Sequence, residues 1–148
     1  LAWQERGRTR LRLREFVDAI SDLTRAIDLG DPGDAHHYRA LAHHEAGNQE
    51  QAIADIEVAV EMRPEDSLLR VNEAQLKLRT DPEGALKAAD KAIELRPNDW
   101  SGYEKRARAL GLLQRYPEAV AAIDAALERC DSASDRRMLQ DLRNVFNR

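Results

Sequence analysis

Four histidines are the side chains of this sequence best suited to chemistry, and they stand at positions 36, 37, 43 and 44. Imidazole nitrogens are zinc ligands, and each must lie within about 2 Å of the ion. His36 and His43, like His37 and His44, are seven residues apart. On a helix that spacing covers about two turns, or roughly 10 Å, which is too far for one ion. The spacing therefore predicts no metal site. It places His36 and His43 in packing positions and His37 and His44 on an inner helix face.

Five arginines alternate with other residues near the start of the chain. Together with one glutamate they give the first 14 residues a charge of +4, whereas the whole chain carries −4. One interpretation is a patch that binds anions or acidic peptides. The other is arginine stems that cover apolar surface while their charged heads stay in water. We expect the second for Arg6, Arg10 and Arg14. Arg8 and Arg12 should point to the inner face, where both interpretations stay open.

Motifs of catalysis and of cofactor binding are missing from the sequence. A glycine-rich phosphate loop, a nucleophile elbow and a paired-cysteine metal motif are all absent, so neither an enzyme nor a cofactor is expected. The single cysteine, Cys130, cannot form an internal disulfide, which favours a reducing compartment such as the cytoplasm. The net charge of −4 argues against nucleic-acid binding. No apolar run reaches the roughly 18 residues of a membrane-spanning helix. The chain begins with Leu1, so we expect it to be a segment of a longer protein.

An internal repeat indicates the elements that must position these side chains. An alanine followed by aliphatic residues recurs in steps of 33, 33 and 34 residues, at Ala19, Ala52, Ala85 and Ala119. A second alanine follows each of these seven residues later. A small residue also occurs in the segment before each of them, at Gly7, Ala40, Ala74 and Ala107. Two helices joined by a short turn pack closely where both present small side chains, so the pattern predicts one helix hairpin per repeat.

A period of 33 to 34 residues with one helix hairpin per period resembles the tetratricopeptide repeat family. Trp3 and Tyr103 stand at the family's large first-helix position, and Phe16 and Tyr116 open two second helices where the family often has an aromatic residue. The resemblance covers about the first 131 residues. It implies an all-α, right-handed solenoid of four helix-turn-helix repeats plus a C-terminal capping helix, within a single domain. The expected repeats are 1–33, 34–66, 67–99 and 100–131, with the capping helix at 133–147.

Turn chemistry sets the expected helix bounds. First helices should lie near 1–13, 34–46, 67–79 and 99–113, and second helices near 16–29, 49–62, 82–95 and 117–129. The glycine- and proline-containing stretch 30–34 should separate the first two repeats. Polar residues that can cap helices stand at Asp34, Asn48, Asp81 and Ser132. The last helix has one apolar stripe, formed by Met138, Leu139, Leu142, Val145 and Phe146. That stripe is typical of a cap, although the start of a fifth repeat stays open as an alternative.

The resemblance implies a function in protein–protein interaction, as a scaffold or adaptor module. Proteins of this family bind a partner peptide in a concave groove lined by their first helices. The groove residues expected here are Gln4, Arg8, Arg12, His37, Leu41, His44, Asn72, Gln75, Arg79, Lys105 and Arg108. One subfamily binds chaperone C-terminal tails with a lysine–asparagine carboxylate clamp. Gln4 and Arg8 stand at the corresponding places here, so this sequence departs from that clamp.

The charge pattern predicts the chemistry of the partner. Five cations should make the groove mildly basic, while acidic residues concentrate on the second helices at Asp18, Asp22, Asp28, Asp55, Glu57 and Glu61. We therefore expect a partner segment with carboxylates, such as a free C-terminus, because arginine binds carboxylates bidentately. Three alternatives stay open. One is a structural role in a longer protein, as a spacer or by self-association through the solenoid ends. Another is a solenoid that contacts nucleic acid through its arginine-rich first helix, and the third is an enzyme, for which the sequence offers no residue.

Overall fold

The computed structural model describes residues 2–30 and 34–148, which form α-helices joined by short turns. The helices are α1 (Ala2–Arg12), α2 (Phe16–Asp28), α3 (Ala35–Glu45), α4 (Gln49–Met62), α5 (Ser67–Lys77), α6 (Pro82–Leu95), α7 (Trp100–Leu112), α8 (Tyr116–Arg129) and α9 (Ala133–Phe146). Their bounds agree with the predicted ones to within two residues. The helix start predicted at residue 1 and the turn predicted at residues 31–33 lie outside the described residues. Within the described ranges, no helix combines the length and the apolar character that crossing a bilayer requires.

The chain divides into two compact units, Leu1–Pro64 and Glu65–Arg148, called here the N-terminal and C-terminal units. In the N-terminal unit, α1 packs on α2, α2 on α3 and α3 on α4, and α1 also contacts α3. In the C-terminal unit, consecutive helices from α5 to α9 pack in the same way, and α5 also contacts α7. Each unit is therefore built from helix hairpins, as the repeat predicts.

The small residues of the repeat lie where helices cross. The alanines that begin the pattern, Ala19, Ala52, Ala85 and Ala119, have no exposed surface. The alanines seven residues later are at most 4% exposed, so the predicted register is confirmed. In the first hairpin the crossing is tight enough to need glycine. A Cβ atom added to Gly7 would lie only 2.7 Å from Cγ of Leu23.

Three of the four turns inside the hairpins end their first helix with a left-handed residue. These residues are Arg14, Gly47 and Gln114, with φ of 64°, 85° and 60°. In each turn the next backbone N–H donates to a carbonyl five residues earlier, at 2.8 to 2.9 Å, which satisfies a free carbonyl of the helix end. The turn after α5 has four residues, 78–81, where the others have three, and it closes with a bond from Asp81 N–H to the carbonyl of Lys77 instead.

Side-chain caps follow the prediction at two of the four positions. Asp81 and Ser132 accept hydrogen bonds from the first turns of α6 and α9, which confirms them as caps. The caps predicted at Asp34 and Asn48 are wrong, because neither side chain bonds to its helix N-terminus. The carboxylate of Asp34 forms an ion pair with Arg63 instead.

Helix α9 packs on α8 through an apolar face. Leu139 is fully buried, and Leu142 and Phe146 pack against the core of the C-terminal unit. Val145, assigned to the same stripe by the sequence pattern, is 51% exposed, because the contact at the last turn is made by Phe146. Gln140 is also exposed, although the repeat step from Ala107 would put a small buried residue at this position in a further repeat.

Candidate functional site

Helix α1 presents its arginines on opposite faces. Arg6 and Arg10 point to α2, where they donate three hydrogen bonds of 2.7 to 2.8 Å to the carboxylate of Asp22. Asp22 is only 2% exposed. Residues two positions apart on a helix are rotated by about 200° from each other. Arg8 and Arg12 are therefore directed away from Asp22, and both are exposed.

A second buried aspartate orients α3 in the same way. Arg39 donates two hydrogen bonds of 2.7 Å to Asp55, which is 5% exposed. His36 Nδ1 lies 3.3 Å from the same carboxylate, and His43 Nε2 lies 3.9 Å from it. The two histidines predicted in packing positions thus face a buried charge. Leu41, two positions after Arg39, is directed to the other side of α3.

These two aspartates correct the predicted charge pattern. The sequence pattern puts Asp22 and Asp55 on solvated faces of second helices, and the heads of Arg6 and Arg10 in water. Both expectations are wrong, because these groups pair between the helices of their hairpins. The position of the two aspartates in the repeat could have indicated from the sequence that they are buried. Each aspartate stands three residues after the first alanine of its repeat, at a place where the other two repeats have a buried alanine.

The charge states at these two aspartates follow from their partners. The hydrogen bonds from Arg6 hold the pKa of Asp22 below its ordinary value of 3.8, although burial opposes this effect. Burial lowers the pKa of His43 below its ordinary value of 6.5, and the nearby charge of Asp55 opposes that shift. An ionised Asp22 and a neutral His43 are therefore the forms that the folded hairpins favour.

The α1–α3 surface is formed by Gln4, Arg8 and Arg12 of α1 with Tyr38, Leu41 and His44 of α3. The guanidinium carbon of Arg8 lies over the ring of Tyr38, 5.5 Å from its centroid. Neither Arg8 nor Arg12 has a carboxylate partner among residues 2–30 and 34–148. Leu41 and His44 are half-buried, and Nδ1 of His44 lies 2.9 Å from Oε1 of Gln49. This surface thus combines two cations without carboxylate partners with an aromatic and an aliphatic side chain.

Two predicted groove residues of the N-terminal unit are less accessible than expected. His37 is only 7% exposed, and its ring stacks on Tyr38 with centroids 5.3 Å apart. Gln4 is half-buried, and its Oε1 atom has no hydrogen-bond partner among the described residues. His37 therefore supports the ring of Tyr38 and does not line an open surface as predicted.

The predicted cations of α7, Lys105 and Arg108, share one buried carboxylate within the C-terminal unit. Glu104 is 3% exposed, and Nζ of Lys105 lies 2.8 Å from its carboxylate. Arg108 forms an ion pair with the same carboxylate, and its Nη2 lies 3.6 Å from Sδ of Met138. Both cations are therefore ion-paired, and the charge of Glu104 compensates one of their two positive charges, so α7 contributes less positive charge than expected. The burial of Glu104 gives the physical reason.

Three predicted groove residues belong to the segment of α5. Asn72 is half-buried and Gln75 is exposed, both on the helix itself. Arg79 is exposed but lies in the turn, because α5 ends at Lys77 and not at residue 79 as predicted. Because α5 ends early and leaves a four-residue turn, Arg79 lies outside the helix face to which it was assigned.

The predicted set also mixes two registers. Repeat steps from Gln4 and His37 lead to Val71 and Glu104, which are 9% and 3% exposed. Asn72 and Lys105 stand one position later. One position on a helix is a rotation of about 100°, so these two residues belong to a different face.

The remaining side chains that could bind a metal lie apart from one another in the part of the chain that the structure describes. Within the described ranges, no group of three or more histidine, cysteine, aspartate or glutamate side chains is arranged to hold a metal ion. Cys130 is 2% exposed, and its Sγ lies 3.8 Å from the carbonyl oxygen of Ser132. This thiol lies in the core of the C-terminal unit.

Comparison with solved structures finds the same fold in helical-repeat proteins. The TPR2B domain of yeast Sti1 in complex with pHsp70 shares 19% identity at a TM-score of 0.72, covering 77% of this chain and 94% of that one. A MamA RS-1 double mutant shares 14% identity at a TM-score of 0.85, over 99% of this chain and 82% of that one. The first TPR of Spaghetti (RPAP3), bound to an HSP90 peptide, shares 19% identity at a TM-score of 0.64, covering 74% of this chain and 89% of that one. Among curated protein sequences, none matches this chain significantly.

A family comparison agrees with the fold. The model described as tetratricopeptide repeat matches residues 5–67 and 78–134, which is well over half of the chain. The matched segments contain all four alanines that begin the repeat pattern. This all-α helical-repeat solenoid therefore belongs to the tetratricopeptide repeat family.

Proposed function

We propose that this chain is a protein-interaction module whose α1–α3 surface binds a partner segment rich in carboxylates. The observation that carries the proposal is the pair Arg8 and Arg12, one turn apart on α1, exposed and without carboxylate partners among the described residues. Arginine binds carboxylates bidentately, and Tyr38 and Leu41 beside it offer apolar contact. Two structural neighbours, from yeast Sti1 and from Spaghetti, were solved with chaperone-derived partners, which supports a peptide as the ligand class.

The buried aspartates support this surface by fixing the rotation of its helices. Because Asp22 holds Arg6 and Arg10, α1 cannot turn without breaking three charge-assisted hydrogen bonds. Arg8 and Arg12 are thereby kept on the opposite face. We also propose a reducing compartment such as the cytoplasm, since the sequence has a single cysteine and so no internal disulfide. We also propose that α9 closes the repeat array, because Gln140 does not provide the small crossing residue that a fifth repeat needs.

The proposal is tested by fluorescence anisotropy with a labelled peptide of alternating glutamate and alanine. The matched probe is the same peptide with glutamine in place of glutamate. We expect the acidic peptide to bind, with an affinity that falls as salt rises, and the glutamine peptide not to bind. The double variant Arg8→Gln/Arg12→Gln should lose binding. Arg137→Gln, an exposed arginine of α9, should keep it.

Either of two results would contradict the proposed function. One is equal binding of the acidic and the glutamine peptide by the wild-type chain. The other is a loss of binding in Arg137→Gln that equals the loss in the α1 double variant. Arg136 is unsuitable as the control, because it donates hydrogen bonds to the carbonyls of Leu127 and Cys130 and so supports the fold.

A further inference from the structure

We infer that carboxylate recognition by this chain is confined to the N-terminal unit, where Tyr38 positions Arg8, and that Arg108 takes no part in it. The inference rests on the proposed function and deepens it. It names the cation that contacts the partner, the residue that orients this cation, and the equivalent cation that the fold pairs with a carboxylate.

The fold orients Arg8 without pairing it with a carboxylate of the described residues. Its guanidinium group lies over the face of Tyr38, 5.5 Å from the ring centroid. A guanidinium on an aromatic ring is held by cation–π attraction while its edge keeps free N–H donors. Those donors form the planar fork that matches a carboxylate. The contact thus lowers the conformational entropy that Arg8 loses on binding and leaves the charge unpaired.

Tyr38 is itself held rigidly. Its side chain packs against the buried cluster of Leu23, Ala26 and Ala35. The ring of Tyr38 also stacks on the ring of His37, with centroids 5.3 Å apart and an interplanar angle of 20°. The ring is thus fixed by the core of the N-terminal unit before any partner binds.

Arg108 occupies the same register position as Arg8, but unlike Arg8 it forms an ion pair with a carboxylate. Repeat steps of 33, 34 and 33 residues lead from Arg8 through Leu41 and Gln75 to Arg108. One turn before Arg108 stands Glu104, which is 3% exposed and forms an ion pair with it. One turn before Arg8 the same register holds Gln4, which carries no charge.

The difference between glutamine and glutamate at this position decides which arginine is available. A buried carboxylate must keep its cations, because leaving it unpaired costs far more than an exposed pair contributes. Lys105 and Arg108 both pair with the carboxylate of Glu104, so Arg108 can turn to a partner only by giving up its ion pair with that buried group. Gln4 has no charge, so it does not need Arg8 as an ion-pair partner.

The experiment uses the labelled glutamate–alanine peptide and single variants of the whole chain. Arg8→Gln should weaken binding strongly, and Arg108→Gln should leave the dissociation constant within about twofold, since it removes a charge that is already paired. Tyr38→Leu should weaken binding by about twofold to fivefold, the size of an exposed cation–π contact, and Tyr38→Phe should retain wild-type affinity. Gln4→Glu transplants the arrangement of α7 onto α1 and should weaken binding at least as much as Tyr38→Leu.

A double-mutant cycle separates a positioning role of Tyr38 from a merely structural one. If Tyr38 acts through Arg8, then Tyr38→Leu/Arg8→Gln binds no more weakly than Arg8→Gln alone. Arg8→Gln should also reduce the salt dependence of binding, whereas Tyr38→Leu, which keeps the charge of Arg8, should reduce it less. A merely structural effect of Tyr38→Leu would instead persist in the Arg8→Gln background. Far-UV circular dichroism sets a temperature at which all four chains of the cycle are fully folded, and binding is measured there.

The inference is overturned if Arg108→Gln weakens binding as much as Arg8→Gln, or if the effects of Tyr38→Leu and Arg8→Gln add. It is also overturned if Gln4→Glu binds as well as wild type. These results leave the proposed function intact, because the wild-type chain still prefers the acidic peptide. A wild-type chain that binds neither peptide removes the proposed function and the inference together.

Discussion

At the crossing of α1 on α2, the effect of Gly7→Ala on stability should depend on one neighbouring side chain, that of Leu23. In Gly7→Ala the new Cβ would lie 2.7 Å from Cγ and 3.0 Å from Cδ2 of Leu23, and 3.3 Å from the carbonyl oxygen of Ala19. Cβ atoms essentially never approach a neighbour as closely as the first of these contacts, so the helices must separate or Leu23 must leave its rotamer. The other repeats pair alanine at this position with isoleucine or alanine, as in Ala107 with Ile123.

Two opposing effects set the size of the change in the free energy of unfolding on Gly7→Ala. Overpacking a buried crossing costs about 1–3 kcal/mol. Replacing glycine by alanine inside a helix contributes about 1 kcal/mol in the other direction. Gly7→Ala should therefore lower the free energy of unfolding by about 1 kcal/mol in the wild-type background. With Leu23→Ile, which reproduces the pair of the fourth repeat, the same Gly7→Ala change should become neutral or stabilising.

Urea denaturation of the four chains of this double-mutant cycle measures the coupling, and hydrogen exchange of α1 and α2 amides locates it. Leu23→Ile alone is the matched control for the isoleucine itself. The reasoning is refuted if Gly7→Ala stabilises the wild-type chain by the full helix-propensity gain. It is also refuted if the effect of Gly7→Ala is the same in both backgrounds, because the contact with Leu23 would then be irrelevant.

Further predictions concern other positions. Ala119→Leu should lower the free energy of unfolding by about 1–3 kcal/mol through overpacking, since Ala119 has no exposed surface, and an unchanged urea midpoint would contradict its place at a crossing. Gln114→Gly should raise that free energy by about 1 kcal/mol, because Gln114 has φ of 60° and is exposed; Gln114→Ala, the control, should show no gain. The lowered pKa of His43 means that the unfolded chain takes up a proton there first as pH falls below 6.5. Stability should then decline until His43 protonates in the folded chain too, and His43→Gln should flatten this part of the thermal-midpoint profile. The lowered pKa of Asp22 likewise gives stability that is present above 3.8 and lost as pH falls through the folded value, so Asp22→Asn should remove that acid-dependent step.

The helix hairpins could be predicted from the sequence because a close crossing tolerates few side chains. The recurrence of Ala19, Ala52, Ala85 and Ala119 reports a packing requirement directly, and burial confirms it at every copy. The left-handed turn residue is less visible. Gly47 indicates it in the second repeat, whereas Arg14 and Gln114 adopt the same backbone without glycine.

The candidate site was less predictable because it depends on which charges pair. Composition counts Arg108 and Arg8 equally, yet only Arg108 forms an ion pair with a buried carboxylate, that of Glu104. The pairing of Arg6 with Asp22 likewise depends on the rotation of α1 against α2, which the alanine period specifies only approximately. Tyr38 was missed because an aromatic residue one position after His37 gave no separate sign of contact with α1.

The central claim, that the α1–α3 surface binds acidic segments, is tested most directly by nuclear magnetic resonance. The isotope-labelled chain is titrated with the glutamate–alanine peptide while backbone amides and arginine Nε–H groups are followed. The account predicts that the largest and saturable shifts occur at Arg8, Arg12 and the neighbouring amides of α1 and α3. Largest shifts at Arg137 and the exposed face of α9, with α1 unaffected, would contradict it.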